Sequence, residues 1–109
     1  MRSINPSEHQ IQCAIVDWAN KTKIPHFGKY GDFLLAIPNG GNRSITEAIR
    51  LKKEGVKKGV SDLFFAYPRH FNDSMHGACG LWLEVKSKKG VLSKEQKEWI
   101  KLMNNMGYG

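Results

Sequence analysis

Two short apolar runs, each carrying acid, constrain this chain more than anything else in it. Residues 60–67 read VSDLFFAY and hold Asp62; residues 81–87 read LWLEVKS and hold Glu84 and Lys86. Aliphatic and aromatic runs of this length, bounded by glycine and proline, read as strands. Strand side chains alternate faces, so Trp82, Glu84 and Lys86 share one face while Leu81, Leu83 and Val85 take the other. Residues 68–80 join the runs and centre on Ser74. Partners in an antiparallel hairpin then have numbers summing to roughly 146–148, because register follows the centre of the connection. Asp62 falls opposite or diagonal to Glu84, with Cβ atoms about 4.5–5.5 Å apart where residues face directly.

Such a pair is costly. Two like charges about 4 Å apart repel by about 4 kcal/mol at an effective dielectric near 20. A divalent cation removes the penalty, and carboxylate and carbonyl oxygens are hard ligands suited to Mg²⁺ or Mn²⁺. Lys86, one pleat along, could hold a reacting oxygen or orient a water. A solvated salt pair is the commonplace reading of an acid-x-Lys strand. Against it stand an acid inside the apolar run 60–67, the apolar neighbours of Glu84, and a Gly90 turn running straight into a helix start.

The chain of 109 residues carries 17 Lys and Arg against 10 Asp and Glu, a net charge of +7. That length supports one domain with a modest core. That balance calls for an acidic partner, nucleic acid before a membrane surface. No apolar run approaches the ~20 residues of a spanning helix, and MRSINPSEHQ is too polar for a signal peptide. Cys13 and Cys79 match no metal spacing and read as free thiols of a reducing cytoplasm.

Ser7 with Gln10, Ser44 with Glu47 and Ser93 with Gln96 have capping-box spacing and open three helices, over 7–23, 45–54 and 94–106. The first presents Ile11, Ala14, Ile15 and Trp18 as its apolar stripe, with Glu8 continuing that stripe into the first turn. Glu8 is either a dipole-favoured acid or one that reaches over the sheet, while His9 faces solvent. Residues 32–38, DFLLAIP, read as a further strand, and Asn39-Gly40-Gly41-Asn42 as a turn, a plain loop or a phosphate cradle. Gly55 closes the second helix at C′. Arg43, Arg50, Lys52, Lys53, Lys57 and Lys58 cluster around that helix; Lys86, Lys88 and Lys89 form a second cluster. Each cluster is either a solvated charge run or a phosphate-facing surface. The last helix buries Trp99, Ile100, Met103 and Met106, with Gln96 on the same side, and turns Lys94, Lys97 and Lys101 outward. His70, Asp73 and His76 sit in a polar segment that makes a poor metal site.

Taken together these segments resemble a virus-type replication-repair nuclease (VRR-NUC) domain, a branch of the PD-(D/E)XK nuclease superfamily. The resemblance spans almost the whole chain. It is carried by Glu8, IPNGGNR at 37–43, the helix into Gly55-Val56, GVSDLFF at 59–65, LWLEVKSKKG at 81–90 and LSKEQKEW at 92–99. It implies one domain over 1–109 with an α/β/α core, a central mixed sheet flanked by helices. It implies a Mg²⁺- or Mn²⁺-dependent phosphodiesterase with Glu8, Asp62, Glu84 and the Val85 carbonyl as metal ligands, Lys86 as catalytic lysine and Gln96 as accessory residue. Asn39 and Arg43 match the family's loop; with Lys52, Lys53, Lys57, Lys58, Lys88 and Lys89 they are the expected nucleic-acid contacts. Small stand-alone members resemble Holliday-junction resolvases, so the expected partner is branched or four-way-junction DNA and the expected assembly a homodimer. A viral or mobile-element origin, with a host-cell cytoplasmic location, is what the resemblance suggests. Members usually run past a Gly-Tyr like Gly107-Tyr108 into another strand and helix, whereas this sequence ends at Gly109; the expectation is truncation there or a sheet completed otherwise. A non-catalytic basic nucleic-acid-binding module is the alternative, and a sequence-reading restriction-type enzyme ranks lower.

Overall fold

The computed structural model describes residues 5–38, 44–70 and 77–109, the side chains of 69, 70, 77 and 78 excepted. Three serines start three helices. Ser7 Oγ accepts from the Gln10 N–H at 3.1 Å while Gln10 Oε1 accepts from the Ser7 N–H at 2.9 Å, opening α1 (Glu8–Lys21). Ser93 and Gln96 repeat the reciprocal box at α3 (Lys94–Asn105). At α2 (Ile45–Lys53) Ser44 accepts from the Glu47 N–H, and the helix ends at Glu54 before Gly55 with φ +102°. Each cap satisfies donors that a helix start otherwise leaves open.

α1 is shorter than its apolar pattern suggests. Thr22 turns extended, and Lys23–Ile24 (β1) pairs with Gly28–Lys29 (β2) in a small hairpin. A 3-10 turn over Tyr30–Asp32 then leads into β3 (Leu34–Ala36). The stripe of α1 is also rotated from the expected one. Ile11, Gln12, Ile15 and Val16 are half-buried and Ala19 is buried, whereas Ala14 is exposed and Trp18 is 56 % exposed. Trp18 stacks on Tyr30 at 5.1 Å instead of entering the core.

The sheet has the order β3–β4–β7, with β4 at Leu63–Phe65 and β7 at Leu81–Leu83. Its strands are much shorter than the apolar runs around them. Both ladders are antiparallel, pairing Leu34 with Phe65 and Leu63 with Leu83. The β4–β7 partners sum to 146, at the low end of the expected range. The mixed sheet expected from the sequence is therefore antiparallel across its strands. A parallel pattern enters only at the β7 edge, where Gly109 N–H donates to Gly80 and Trp82 N–H donates to Gly109, both at 2.9 Å. Between the sheet strands, Arg69–His70 (β5) and Gly77–Ala78 (β6) make a second hairpin where an open loop was expected.

Register sorts the sheet's side chains onto two faces. Leu34, Phe65, Leu81 and Leu83 line one cavity with Ile15, Trp18 and Ala19 of α1. Phe64 and Trp82 lie on the other face, where Trp82 meets Trp99 of α3 edge-on at 5.1 Å and Phe64 meets Tyr108. The result is the expected helix–sheet–helix layering. Among the described residues Leu63, Val85, Ala19 and Ile24 form the fully buried apolar core. Met106, expected in the α3 stripe, is 60 % exposed at the helix end, while Trp99, Ile100 and Met103 are half-buried.

Candidate active site

Extending the β4–β7 ladder by one residue sets Asp62 opposite Glu84. The chain ties this end of the sheet tightly. The Ile37 N–H donates to the Asp62 carbonyl at 2.8 Å, and the Val85 N–H donates to Asp62 Oδ2 at 2.8 Å. Asp62 is thus fixed by backbone on both sides, with its carboxylate turned toward the β7 exit.

Glu84 is the most constrained side chain of the group, 8 % exposed. Gln96 Nε2 donates to its Oε2 at 3.2 Å and Lys86 Nζ stands 3.9 Å from the same oxygen. Oε1 is buried without a hydrogen-bond partner. With both acids ionised, neither Glu84 nor Asp62 can donate to the other; a proton on Glu84 makes it a donor to Asp62. Burial first, then this hydrogen bond and the Asp62 charge, raise the Glu84 carboxyl from 4.5 to about 7. Glu8 adds repulsion and Lys86 partly offsets it.

Glu8 approaches from the other face. It is the first residue of α1 and is exposed rather than part of a buried stripe. Its Oε2 lies 3.4 Å from the Ser87 N–H. Gly90 lets this approach happen: a Cβ there would stand 2.9 Å from Glu8 Oε2 and 3.1 Å from Lys86 Cδ. Glu8 and Lys86 therefore converge on one glycine. The first turns of α1 and α3 both open on the acids, and the positive end of a helix dipole offsets part of the carboxylate repulsion there.

Each carboxylate has a donor of its own: Val85 for Asp62, Gln96 and Lys86 for Glu84, Ser87 for Glu8. The expected three-acid cage is not closed. Among the described residues no three His, Cys, Asp or Glu side chains are grouped so as to hold a metal ion. The central pair still suits a hard cation. Two facing carboxylates, one with an orphaned buried oxygen and a raised carboxyl, form an oxygen donor set whose strain positive charge would relieve. Val85, next to Glu84 in the chain, is buried and its N–H holds Asp62, while Glu8 is exposed.

The expected cation contacts lie outside this core. Lys52, Lys53, Lys57, Lys58, Lys88 and Lys89 are exposed. Lys88 and Lys89 share a cleft with Ser87, Asn5 and Pro6 beside the start of α1. Asn39 and Arg43, like Asp73, His76 and the side chain of His70, lie outside the described residues. The close packing at two glycines was not legible in the sequence. Gly59, at φ +92°, has the backbone of Glu95 so near that a Cβ would come within 2.6 Å of it. With Gly90 it packs the neighbours of the acids together. The only signal was a glycine directly beside each motif, and nothing local says what it packs against.

The fold has a solved counterpart. A structure described as a "VRR_NUC domain protein" superposes with a TM-score of 0.76 at 24 % identity, covering 95 % of this chain and 74 % of that one. No curated protein matches the chain. Helices on both sides of an antiparallel sheet are consistent with an α/β nuclease-like fold. The VRR-NUC domain family model matches residues 4–109, and the chain belongs to that family. DNA is the partner such a domain implies, and no described helix is long and apolar enough to cross a membrane.

Proposed function

We propose that the chain is a Mg²⁺- or Mn²⁺-dependent DNA endonuclease with a PD-(D/E)XK core. The observation that carries this reading is the facing of Asp62 and Glu84 across β4 and β7, with Lys86 and Gln96 on the same Glu84 oxygen. Asp62, Glu84 and the Val85 carbonyl would hold the cation, with Glu8 contributing from the rim. Such an ion acidifies water and offsets phosphate charge. Lys86 Nζ is held loosely enough at 3.9 Å to swing from Glu84 to a phosphate oxygen or the attacking water. Gln96 fixes the Glu84 carboxylate so that its remaining oxygen faces Asp62. Bond breaking at a phosphodiester requires no base reading, and exposed lysines position a backbone without specifying sequence. The substrate class proposed is branched DNA such as a four-way junction, the expectation that small stand-alone members of the family raise. Two symmetric cuts call for two sites, which a homodimer supplies. Exposed thiols at Cys13 and Cys79 suit a reducing cytoplasm.

The test compares duplex, flap and four-way-junction DNA with and without Mg²⁺. The parent is expected to cut only with the metal and to prefer the junction. Asp62→Asn and Glu84→Gln should each abolish cutting while keeping or strengthening binding, since two buried charges that repel phosphate become one. A parent that binds all three DNAs and cuts none would make the chain a non-catalytic basic binding module. Sedimentation at micromolar concentration checks the assembly, and a monomer would count against the paired-site reading.

A further inference from the structure

α2 is the helix that contributes least to the core. It has no buried residue, and Ile45 and Ile49 are 81 % and 53 % exposed. Four residues apart, they share one helix face. Leu51 lies about 200° around the helix from Ile49, given 3.6 residues per turn. It is half-buried and its carbonyl accepts from the Val56 N–H at 3.0 Å. The helix is thus held by its Leu51 side and turns two isoleucines to water.

Both ends of this segment are tied to the acid site. Ile37, before it, donates to the Asp62 carbonyl. Gly59, after it, backs onto Glu95, whose neighbour Gln96 donates to Glu84. Over residues 44–59 five cations, Arg50, Lys52, Lys53, Lys57 and Lys58, stand against two acids, Glu47 and Glu54. Arg50 is paired with Glu54 at 2.9 Å, and the four lysines are exposed. An apolar pair with a cationic rim matches a branched nucleic acid: phosphates at the edge and, where helical arms part, a base-pair face without a stacking neighbour. Apolar side chains flanked by cations are a known means of entering opened base steps. A second copy of the chain would instead bring the same cationic rim against itself.

We propose that Ile45 and Ile49 pack as a wedge against the base-pair face exposed at a DNA branch, while Lys52, Lys53, Lys57 and Lys58 hold the flanking phosphates. α2, not the acid site, then discriminates branched from continuous DNA. This rests on the nuclease reading of the acid site for its substrate, and the test separates the two.

The experiment places 2-aminopurine at the branch of a four-way junction and measures fluorescence and affinity in a Glu84→Gln background, beside a continuous duplex. The parent is expected to brighten the probe on binding. Adding Ile45→Ser with Ile49→Ser should remove the brightening and weaken junction binding about tenfold, with duplex binding changed by about twofold at most. The Ile45→Leu with Ile49→Leu pair should keep both signals, and thermal melts confirm that the serine variant is folded. Unchanged brightening, or equal loss on junction and duplex, overturns the proposal. So does a shift of the DNA-free protein from dimer to monomer in the serine variant, which would give this face to a second copy. The same serine pair with Glu84 intact is assayed with Mg²⁺. Retained duplex cutting with lost junction preference supports the wedge; no cutting by the parent sinks the nuclease reading alone, because the probe and affinity differences are still read.

Discussion

Replacing Glu84 with glutamine is expected to stabilise the protein while silencing it, and the effect is expected to depend on pH. The Glu84 carboxyl rises from 4.5 to about 7 on folding, by burial first and then through Asp62. A raised acid means that the folded chain keeps a proton where the unfolded chain has released it. The associated stability is complete below the unfolded value and is lost as pH climbs from 4.5 to about 7. At ~1.4 kcal/mol per pH unit, that interval sets a ceiling of about 3 kcal/mol. Relaxation of the site and solvent screening reduce what is realised to about 1–2 kcal/mol. Glutamine keeps the shape, carries no charge at any pH, and its amide can donate to Asp62. Urea denaturation of parent and E84Q at pH 5 and pH 8 measures the difference. E84Q should exceed the parent by about 1–2 kcal/mol at pH 8, with the gap largely closed at pH 5. An E84Q protein no more stable than the parent at pH 8, or one offset equally at both pH values, would refute the claim that the acids repel.

Mg²⁺ at saturating concentration should raise the parent's melting temperature at pH 8, because it binds the folded state alone; E84Q should show little of this, and chelator should reverse it. Gly59→Ala forces a side chain into left-handed backbone against Glu95 and should cost about 2 kcal/mol or more by denaturant titration. Gly90→Ala pushes Glu8 and Lys86 apart by tenths of an ångström; cleavage should fall about tenfold with stability changed by under about 1 kcal/mol. Lys86→Ala should remove cleavage and push the Glu84 carboxyl still higher, since Lys86 is the one group that lowers it, and a pH titration of Glu84 by NMR would show it.

Local chemistry was legible in the residues. Ser7, Ser44 and Ser93 cap helices because a cap is a bond between residues three apart, and no distant partner is needed. The connection centred on Ser74 narrowed the pairing to sums of roughly 146–148, with Asp62 opposite or diagonal to Glu84; the ladder of Leu63 with Leu83, at 146, selects the opposite placement. What the sequence could not carry was everything that depends on which surfaces meet. Trp18 looked like core by its spacing but is more than half exposed and stacks on Tyr30, because the 3-10 turn after the hairpin offers a ring. Glu8, placed on the buried stripe by its spacing, is exposed, and its carboxylate accepts from the Ser87 N–H. Gly90 read as a turn and Gly59 only as the start of a motif, yet their task is to let Glu8 with Lys86, and Glu95, come close. Alternation and capping are properties of neighbours along the chain, so the sequence determined the strands, the caps and the acid pair. The tightness of the site, its raised carboxyl and the outward face of α2 arise from contacts across the fold, and only the tertiary structure decided them.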